Sequence, residues 1–186
     1  MKILYGKRVI TLTFFIFILI FFIGCSSSEK SERKPKFEKL PKFEFKTFDG
    51  KKITQKPFYN GTGIISFVAS WCGPCSYELT ELDSLAKANK NLTALAVTYE
   101  SPDFYKTILE SLKVSIPIAT VDSSFFRLCG VKNLPTRILV EKGNIISRSV
   151  GAPTPPDSQF MSALKNALGI VEQSEKKSTA KSETTE

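Results

Sequence analysis

Cys72 and Cys75 are separated only by Gly73 and Pro74, a spacing at which two thiols can do chemistry together. Such a pair can be a redox couple, half of a zinc site, or two core residues. A structural zinc site needs four ligands, and the chain has no histidine; its other cysteines are Cys129 and Cys25, and Cys25 lies at the end of the N-terminal apolar run, where acylation would remove it as a ligand. Gly and Pro suit a tight turn better than a packed interior. These observations favour a redox couple and predict no metal site.

The local pattern also gives the two cysteines different roles. An apolar run over residues 63–70 has the composition of a buried strand, and a helical pattern starts at Cys72. The free N–H groups and the dipole at a helix N-terminus stabilise an anion, so the sequence predicts Cys72 as the attacking thiolate. Pro74 fits the first turn because it has no N–H to lose. Cys75, about one turn later, is then the thiol that attacks the mixed disulfide and releases the product.

Composition excludes several other kinds of function. Without histidine, the chain cannot use Ser–His or Cys–His catalysis, a histidine-ligated haem or a histidine metal site. The net charge of +8 lies mostly outside the central region, because residues 43–171 hold fourteen basic against eleven acidic residues, an excess of three. A nucleic-acid surface needs basic residues concentrated on a folded face, so we expect no nucleic-acid partner.

Residues 1–24 are typical of an export signal. A basic start precedes an apolar run over residues 9–23, which as a helix would be roughly 22 Å long. This is shorter than the ~30 Å hydrocarbon core of a membrane, so we predict a cleaved secretory signal. The alternative is an uncleaved signal anchor in which neighbouring residues lengthen the span.

The end of that run predicts a lipid anchor. Gly24 and Cys25 follow Phe22-Ile23 in an arrangement that resembles the lipobox of bacterial lipoproteins, although Phe22 stands where Leu is usual. The resemblance implies that Cys25 is lipidated and becomes the mature N-terminus. The protein would then lie outside the cytoplasm, where disulfides are permitted. Ser26 slightly favours the outer membrane of a bacterium with two membranes.

The rest of the chain divides into three parts. Residues 25–42 are polar and interrupted by prolines, which predicts a flexible tether, and residues 172–186 have the composition of a disordered tail. Residues 43–171 have the patterns of an α/β domain, a central mixed β-sheet flanked by helices with an added N-terminal β-hairpin. The predicted elements are a hairpin around Asp49-Gly50, strands at 63–70 and 92–99, a helix from Cys72, a helix at 102–112, an extended piece at 116–120, a helical turn at 123–129, two strands within 136–150, and a last helix from an N-cap at Thr154 to Leu168.

Two motifs together resemble the thioredoxin superfamily: WCGPC after a buried strand, and NLPT before a strand pair and a last helix. The resemblance covers most of the predicted domain and implies a thioredoxin-like fold. It also implies that Pro135 is a cis-proline facing the disulfide, with a backbone edge at Leu134 on which a substrate strand can dock; an ordinary trans proline is the alternative. The resemblance further implies that Trp71 flanks the disulfide as an exposed aromatic surface; the alternative is that Trp71 packs in the core. Gly73 and Pro74 complete the predicted substrate-binding surface.

Within that superfamily, the chain resembles the TlpA-like thiol-disulfide oxidoreductases of the cell envelope. The N-terminal hairpin, the WCGPCxxE pattern ending at Glu78 and the lipid-type anchor carry this resemblance. It implies that Glu78, which can share a helix face with Cys75, helps to move protons to and from the thiols. The alternative is a surface carboxylate that stabilises the first turns. Ser66 stands where cytosolic thioredoxins have a buried aspartate, and Thr80 replaces a proline that often kinks the helix.

These observations predict a membrane-tethered enzyme that reduces disulfides of extracytoplasmic proteins, with apocytochromes c among the candidate substrates. The predicted direction of electron flow rests on Gly73-Pro74, which resembles the dipeptide between the cysteines of reducing members of the superfamily. The alternatives are an oxidant or isomerase of envelope proteins, and a non-catalytic binding module. We expect no cofactor beyond the Cys72–Cys75 disulfide, a membrane electron donor as upstream partner, and a monomer. Cys129 has two interpretations, a buried inert thiol and a third redox thiol near the site.

Overall fold

The computed structural model of the protein describes residues 38–151 and 157–170. The predictions that fall outside these ranges concern the signal peptide, Cys25, residues 26–37 of the tether, Thr154, and the tail 172–186. They stay predictions. Within the two described ranges, no helix combines the length and the apolar character needed to cross a membrane.

The described part of the domain alternates strands and helices. The strands are β1 (Glu38–Lys39), β2 (Glu44–Thr47), β3 (Lys52–Thr54), β4 (Thr62–Phe67), β5 (Leu92–Thr98), β6 (Ile118–Thr120), β7 (Thr136–Glu141) and β8 (Asn144–Val150). The helices are α1 (Lys56–Asn60), α2 (Gly73–Ala88), a 3₁₀ turn (Pro102–Tyr105), α3 (Lys106–Leu112), α4 (Ser123–Leu128) and α5 (Ser158–Ala167). Apart from β1 and α1, each of them falls within a segment that the sequence pattern predicts, except that β4 begins one residue before the predicted strand.

The strands form one mixed sheet in the order β1-β8-β7-β4-β5-β6-β2-β3. β4, β5 and β6 are parallel, whereas β7 is antiparallel to both β4 and β8. Every residue of β4 is buried, as expected for a central strand covered on both faces. Its successive side chains enter different cores: Ile64 joins the cluster of Cys72 and Cys75, and Ile65 joins the cluster of Cys129. The predicted α/β architecture is confirmed.

The N-terminal hairpin is present, and the folded domain begins earlier than predicted. β2 and β3 pair around a turn at Gly50, whose φ of +84° is left-handed backbone that glycine adopts readily. Before the hairpin, Glu38 pairs with Ile145 of β8, and the side chain of Leu40 is buried. The boundary predicted at residue 43 is therefore wrong, because backbone pairing and burial of Leu40 join the end of the predicted tether to the sheet.

The last helix begins at a different cap from the one that the sequence pattern predicts. That pattern places Asp157 in the first turn, after an N-cap at Thr154. In the structure Asp157 is itself the N-cap, because its carboxylate accepts hydrogen bonds from the N–H groups of Gln159 and Phe160. These bonds satisfy two N–H groups that have no partner within the helix, and they fix the start of α5 at Ser158.

Candidate active site

The predicted active-site residues meet at one edge of the sheet. β4 ends at Phe67, which pairs with Thr136 at the start of the antiparallel strand β7. The loop that follows β4 and the Leu134-Pro135 segment that precedes β7 therefore lie at the same edge. The Leu134–Pro135 peptide bond is cis, so this part of the prediction for Pro135 is confirmed and the trans alternative is wrong.

Cys72 and Cys75 form a disulfide, with their Cα atoms 5.4 Å apart. Cys72 is the N-cap of α2, and Gly73 and Pro74 are the first residues of that helix, so the predicted strand-to-helix junction is confirmed. Cys75 is 2% exposed and Cys72 is 7% exposed, whereas Gly73 and Pro74 are open to solvent. Cys72 is thus the more exposed of the two cysteines and lies beside the exposed turn, which agrees with the predicted attacking and resolving roles.

Exposed aromatic side chains lie along the same edge of the sheet. Trp71 is 68% exposed, which excludes the core-packing alternative. Tyr99 and Phe104 are also exposed, and they follow β5, which ends beside β4 because Phe67 and Val97 are in register. The edge thus presents apolar surface that a substrate polypeptide can cover. The substrate-binding roles of Trp71 and its neighbours stay predictions.

Glu78 is buried, so the surface-carboxylate alternative is wrong. The residue is 1% exposed, and its Oε1 accepts a hydrogen bond of 2.5 Å from the hydroxyl of Ser66. Ser66 occupies β4, at the position where the resemblance places an aspartate in cytosolic thioredoxins. The acid is therefore buried against β4, but it projects from helix α2, three residues after Cys75, and the strand contributes only the hydroxyl.

Arg137, which the sequence patterns do not single out, is the cation of this buried group. Its guanidinium donates through Nε and Nη2 to both carboxylate oxygens of Glu78, at 2.5 to 3.1 Å. It also donates through Nη1 and Nη2 to Glu81, and it lies 5.5 Å from the centre of the Phe160 ring. A signal was available in the sequence, because one arginine in the otherwise apolar strand TRILV must find buried partners.

The electrostatics of this group follow from burial and pairing. Burial by itself lowers the pKa of Arg137, but hydrogen bonds to Glu81 and Glu78, with the attraction of both carboxylates, outweigh burial and raise it. Arg137 is therefore always charged, and it needs acidic partners at every step of a reaction.

A second acid holds the loop that carries Trp71 and Cys72. The Glu100 carboxylate, just after β5, accepts hydrogen bonds from the backbone N–H of Ser70 at 2.6 Å and from the Ser70 hydroxyl at 2.9 Å. These two bonds tie the end of β5 to the loop after β4. Glu100 has no local signal in the sequence, because its partner lies thirty residues away along the chain.

Cys129 and Thr80 have structural roles. Cys129 is buried in the other core, away from the cluster that holds the disulfide, which favours the interpretation of a buried, inert thiol over that of a third redox thiol near the site. Burial raises the pKa of the Cys129 thiol to about 12, although the charge of Arg148 opposes the shift. A thiol that stays protonated is a poor nucleophile. Thr80 donates its hydroxyl to the carbonyl of Ser76, and α2 continues unbroken past it.

Comparison with protein families and sequences points to the same chemistry. The family model for Redoxin matches residues 35–166. The thiol-disulfide oxidoreductase ResA of Bacillus thuringiensis is 27% identical over 131 residues, which cover 67% of this chain and 75% of that protein. A thioredoxin H-type protein of Ricinus communis is 32% identical over 92 residues, which cover 50% of this chain and 61% of that protein.

Solved structures share the fold. A protein from Chlorobium tepidum described as a thiol:disulfide interchange protein DsbE superposes with a TM-score of 0.62 at 25% identity, covering 72% of this chain and 97% of that one. The exposed lipoprotein thioredoxin Etrx1 of Streptococcus pneumoniae superposes with a TM-score of 0.59 at 24% identity, covering 68% of this chain and 99% of that one.

Proposed function

Because the chain belongs to the Redoxin family and is a TlpA-like thiol-disulfide oxidoreductase of the thioredoxin superfamily, we propose that it reduces disulfides of extracytoplasmic proteins. The observation that carries the proposal is the pair Cys72 and Cys75 at the N-terminus of α2, where Cys72 is the more exposed of the two and the residues between them are open to solvent. The Gly73-Pro74 dipeptide between them resembles that of reducing members, and this supports the proposed direction.

The proposed reaction has two exchange steps. The Cys72 thiolate attacks one sulfur of the substrate disulfide, so a bond between Cys72 and the substrate forms while the substrate S–S bond breaks and the leaving sulfur takes a proton. Cys75 then loses its proton and attacks the Cys72 sulfur, which forms the intramolecular disulfide and releases the second substrate sulfur as a thiol. Two electrons pass to the substrate, and an upstream membrane electron donor restores the dithiol.

The direction of electron flow is tested by the reduction potential. We expect a potential for the Cys72–Cys75 pair near that of thioredoxin, about −270 mV, or more reducing. The protein is equilibrated in dithiothreitol buffers of known ratio, and the free thiols are alkylated and counted by mass spectrometry. Cys129→Ala is the matched control, because this cysteine lies in the other core and its removal should leave the potential unchanged.

The opposite result is equally clear. A potential near that of the strong oxidant DsbA, about −120 mV, together with oxidative refolding of a scrambled protein, would contradict the reductase function. It would show that the protein acts as an oxidant or isomerase.

The membrane tether is part of the proposal and has its own test. Gly24-Cys25 supports lipidation, so Cys25→Ser should abolish incorporation of labelled fatty acid and release the domain from the membrane fraction of a bacterial host. Cys129→Ala removes a different cysteine and should keep both the label and the membrane association. Fatty acid that persists on the Cys25→Ser protein would contradict the lipid anchor. The location of labelled wild-type protein in separated membranes tests the slight preference for the outer membrane.

A further inference from the structure

Arg137 bridges two carboxylates that differ in their access to solvent. Its Nε and Nη2 atoms hold Glu78, and its Nη1 and Nη2 atoms hold Glu81 at 3.3 and 3.0 Å. The Arg137 and Glu78 side chains are 3% and 1% exposed, whereas the Glu81 side chain is 17% exposed. Glu81 therefore lies where this buried group of charges meets water.

The hydrogen bonds of Glu78 show what it must give up to take a proton. Oε1 accepts from Ser66 and from Arg137, and Oε2 accepts twice from Arg137. Each oxygen of this carboxylate thus already accepts two donors, its ordinary capacity. A proton on Glu78 must displace one donor and leaves the guanidinium without the charge of its closest partner.

Glu81 keeps Arg137 paired when Glu78 takes a proton. A buried cation that loses its only counter-ion is strongly unfavourable, so a simple pair of Arg137 and Glu78 would keep Glu78 ionised throughout the cycle. With Glu81 as a second counter-ion, Arg137 stays paired while Glu78 is neutral. Asp157, at the cap of α5, adds a further negative charge that acts on Arg137.

We propose that Arg137 and Glu81 are positioning residues that allow the buried Glu78 to accept and release one proton in each exchange cycle. The proposal rests on the proposed function, in which Cys75 must lose a proton. In the second step the Cys75 S–H bond breaks, its proton moves to Glu78, and the sulfur attacks Cys72. The released substrate sulfur is protonated from solvent, and Glu78 returns its proton to water on the side of Glu81. The number of protons is balanced and no further reactant is needed.

The resolving step can be measured by itself. The reduced protein is mixed with an aromatic disulfide that releases one coloured thiolate when Cys72 attacks and a second when Cys75 resolves the mixed disulfide. Stopped-flow absorbance gives the rate of the second release as a function of pH. The midpoint of the rise of that rate with pH is the readout, because it reports how readily the proton leaves Cys75.

Removing Glu81 and removing Arg137 should move this midpoint in opposite directions. Glu81→Gln leaves Arg137 dependent on Glu78, so the carboxylate holds its charge more firmly and the midpoint should fall by about one pH unit, a tenfold change in proton binding. Arg137→Met removes the cation, so the midpoint should rise by about the same amount. Glu81→Asp keeps the charge and should restore the wild-type midpoint. Glu44→Gln, which removes an exposed partner of Lys52 on the hairpin, is the control and should change nothing.

The outcomes separate this proposal from a structural role and from the proposed function. Midpoints that shift in the same direction in Glu81→Gln and Arg137→Met, or a Glu81→Gln midpoint equal to the wild type, would overturn it. If Arg137→Met does not fold, Glu81→Gln and its rescue by Glu81→Asp decide the matter. The stopped-flow test uses a small disulfide, so it decides the roles of Arg137 and Glu81 even if the protein does not reduce extracytoplasmic proteins. A failure of the proposed reductase function would appear in the reduction potential instead.

Discussion

Cys75→Ser is expected to stop turnover and to hold substrates as mixed disulfides on Cys72. The variant keeps the attacking sulfur at the N-terminus of α2 but removes the buried thiol that releases the product. Release then depends on free thiols in solution, and we expect the rate to fall by roughly a thousandfold or more, since an intramolecular group acts at very high effective concentration. The measurement is protein-disulfide reduction in vitro, with mass spectrometry of adducts formed in living cells.

Two variants make this experiment decisive. Cys72→Ser has the resolving thiol but no exposed nucleophile, so it should be inactive and should trap nothing. Cys129→Ala lacks a thiol in the other core and should keep full activity. Equal adducts on Cys72→Ser and Cys75→Ser would show that Cys72 is not the attacking residue. A cellular phenotype that stays intact in both variants, although disulfide reduction is lost, would leave only a binding role for the domain.

The trapped proteins also test the proposed substrates. We expect them to be exported proteins with disulfides, and apocytochromes c among them would support a role in cytochrome c maturation. Trapped proteins drawn only from the cytoplasm would contradict the extracytoplasmic location, whatever the rate of disulfide reduction.

The sequence predicts those parts of the site that depend on neighbours along the chain. The Cys72–Cys75 spacing, the apolar run before it and the helical pattern after it determine the strand-to-helix junction, and all three are local. The NLPT motif marks Pro135, and antiparallel pairing of β4 with β7 then brings it to the same edge of the sheet. For these residues, local sequence patterns and the two motifs are sufficient to predict their place in the site.

The rest of the site depends on pairs that are distant in sequence. Glu78 and Arg137 are 59 residues apart, and only the packing of α2 over the sheet brings them together. The same spacing of Glu78 from Cys75 would suit an exposed carboxylate, so periodicity could not decide its burial. β1 was missed for a related reason: Glu38 and Lys39 are polar, and their strand exists through backbone pairing with β8.

Arg137→Met is expected to destabilise the domain by about 3–5 kcal/mol, because it leaves the Glu78 carboxylate buried without a cation. The measure is the free energy of unfolding in urea. Lys52→Met removes a cation from an exposed ion pair with Glu44 and should have little effect, since solvent screens such pairs. The Arg137→Met domain should also lose stability as pH rises, because ionisation of Glu78 then places an unpaired charge in the interior.

A second substitution should recover part of that loss. In Arg137→Met combined with Glu78→Gln, the amide oxygen can still accept the hydrogen bond from Ser66, while the unpaired charge is gone. The double variant should therefore be more stable than Arg137→Met alone, and its stability should no longer fall with rising pH. If the two losses simply add, the pair carries no coupling energy, and the cost of Arg137→Met comes from packing against Phe160. A positive coupling instead means that the charge of Arg137 is what permits an ionised acid in the interior between α2 and β4.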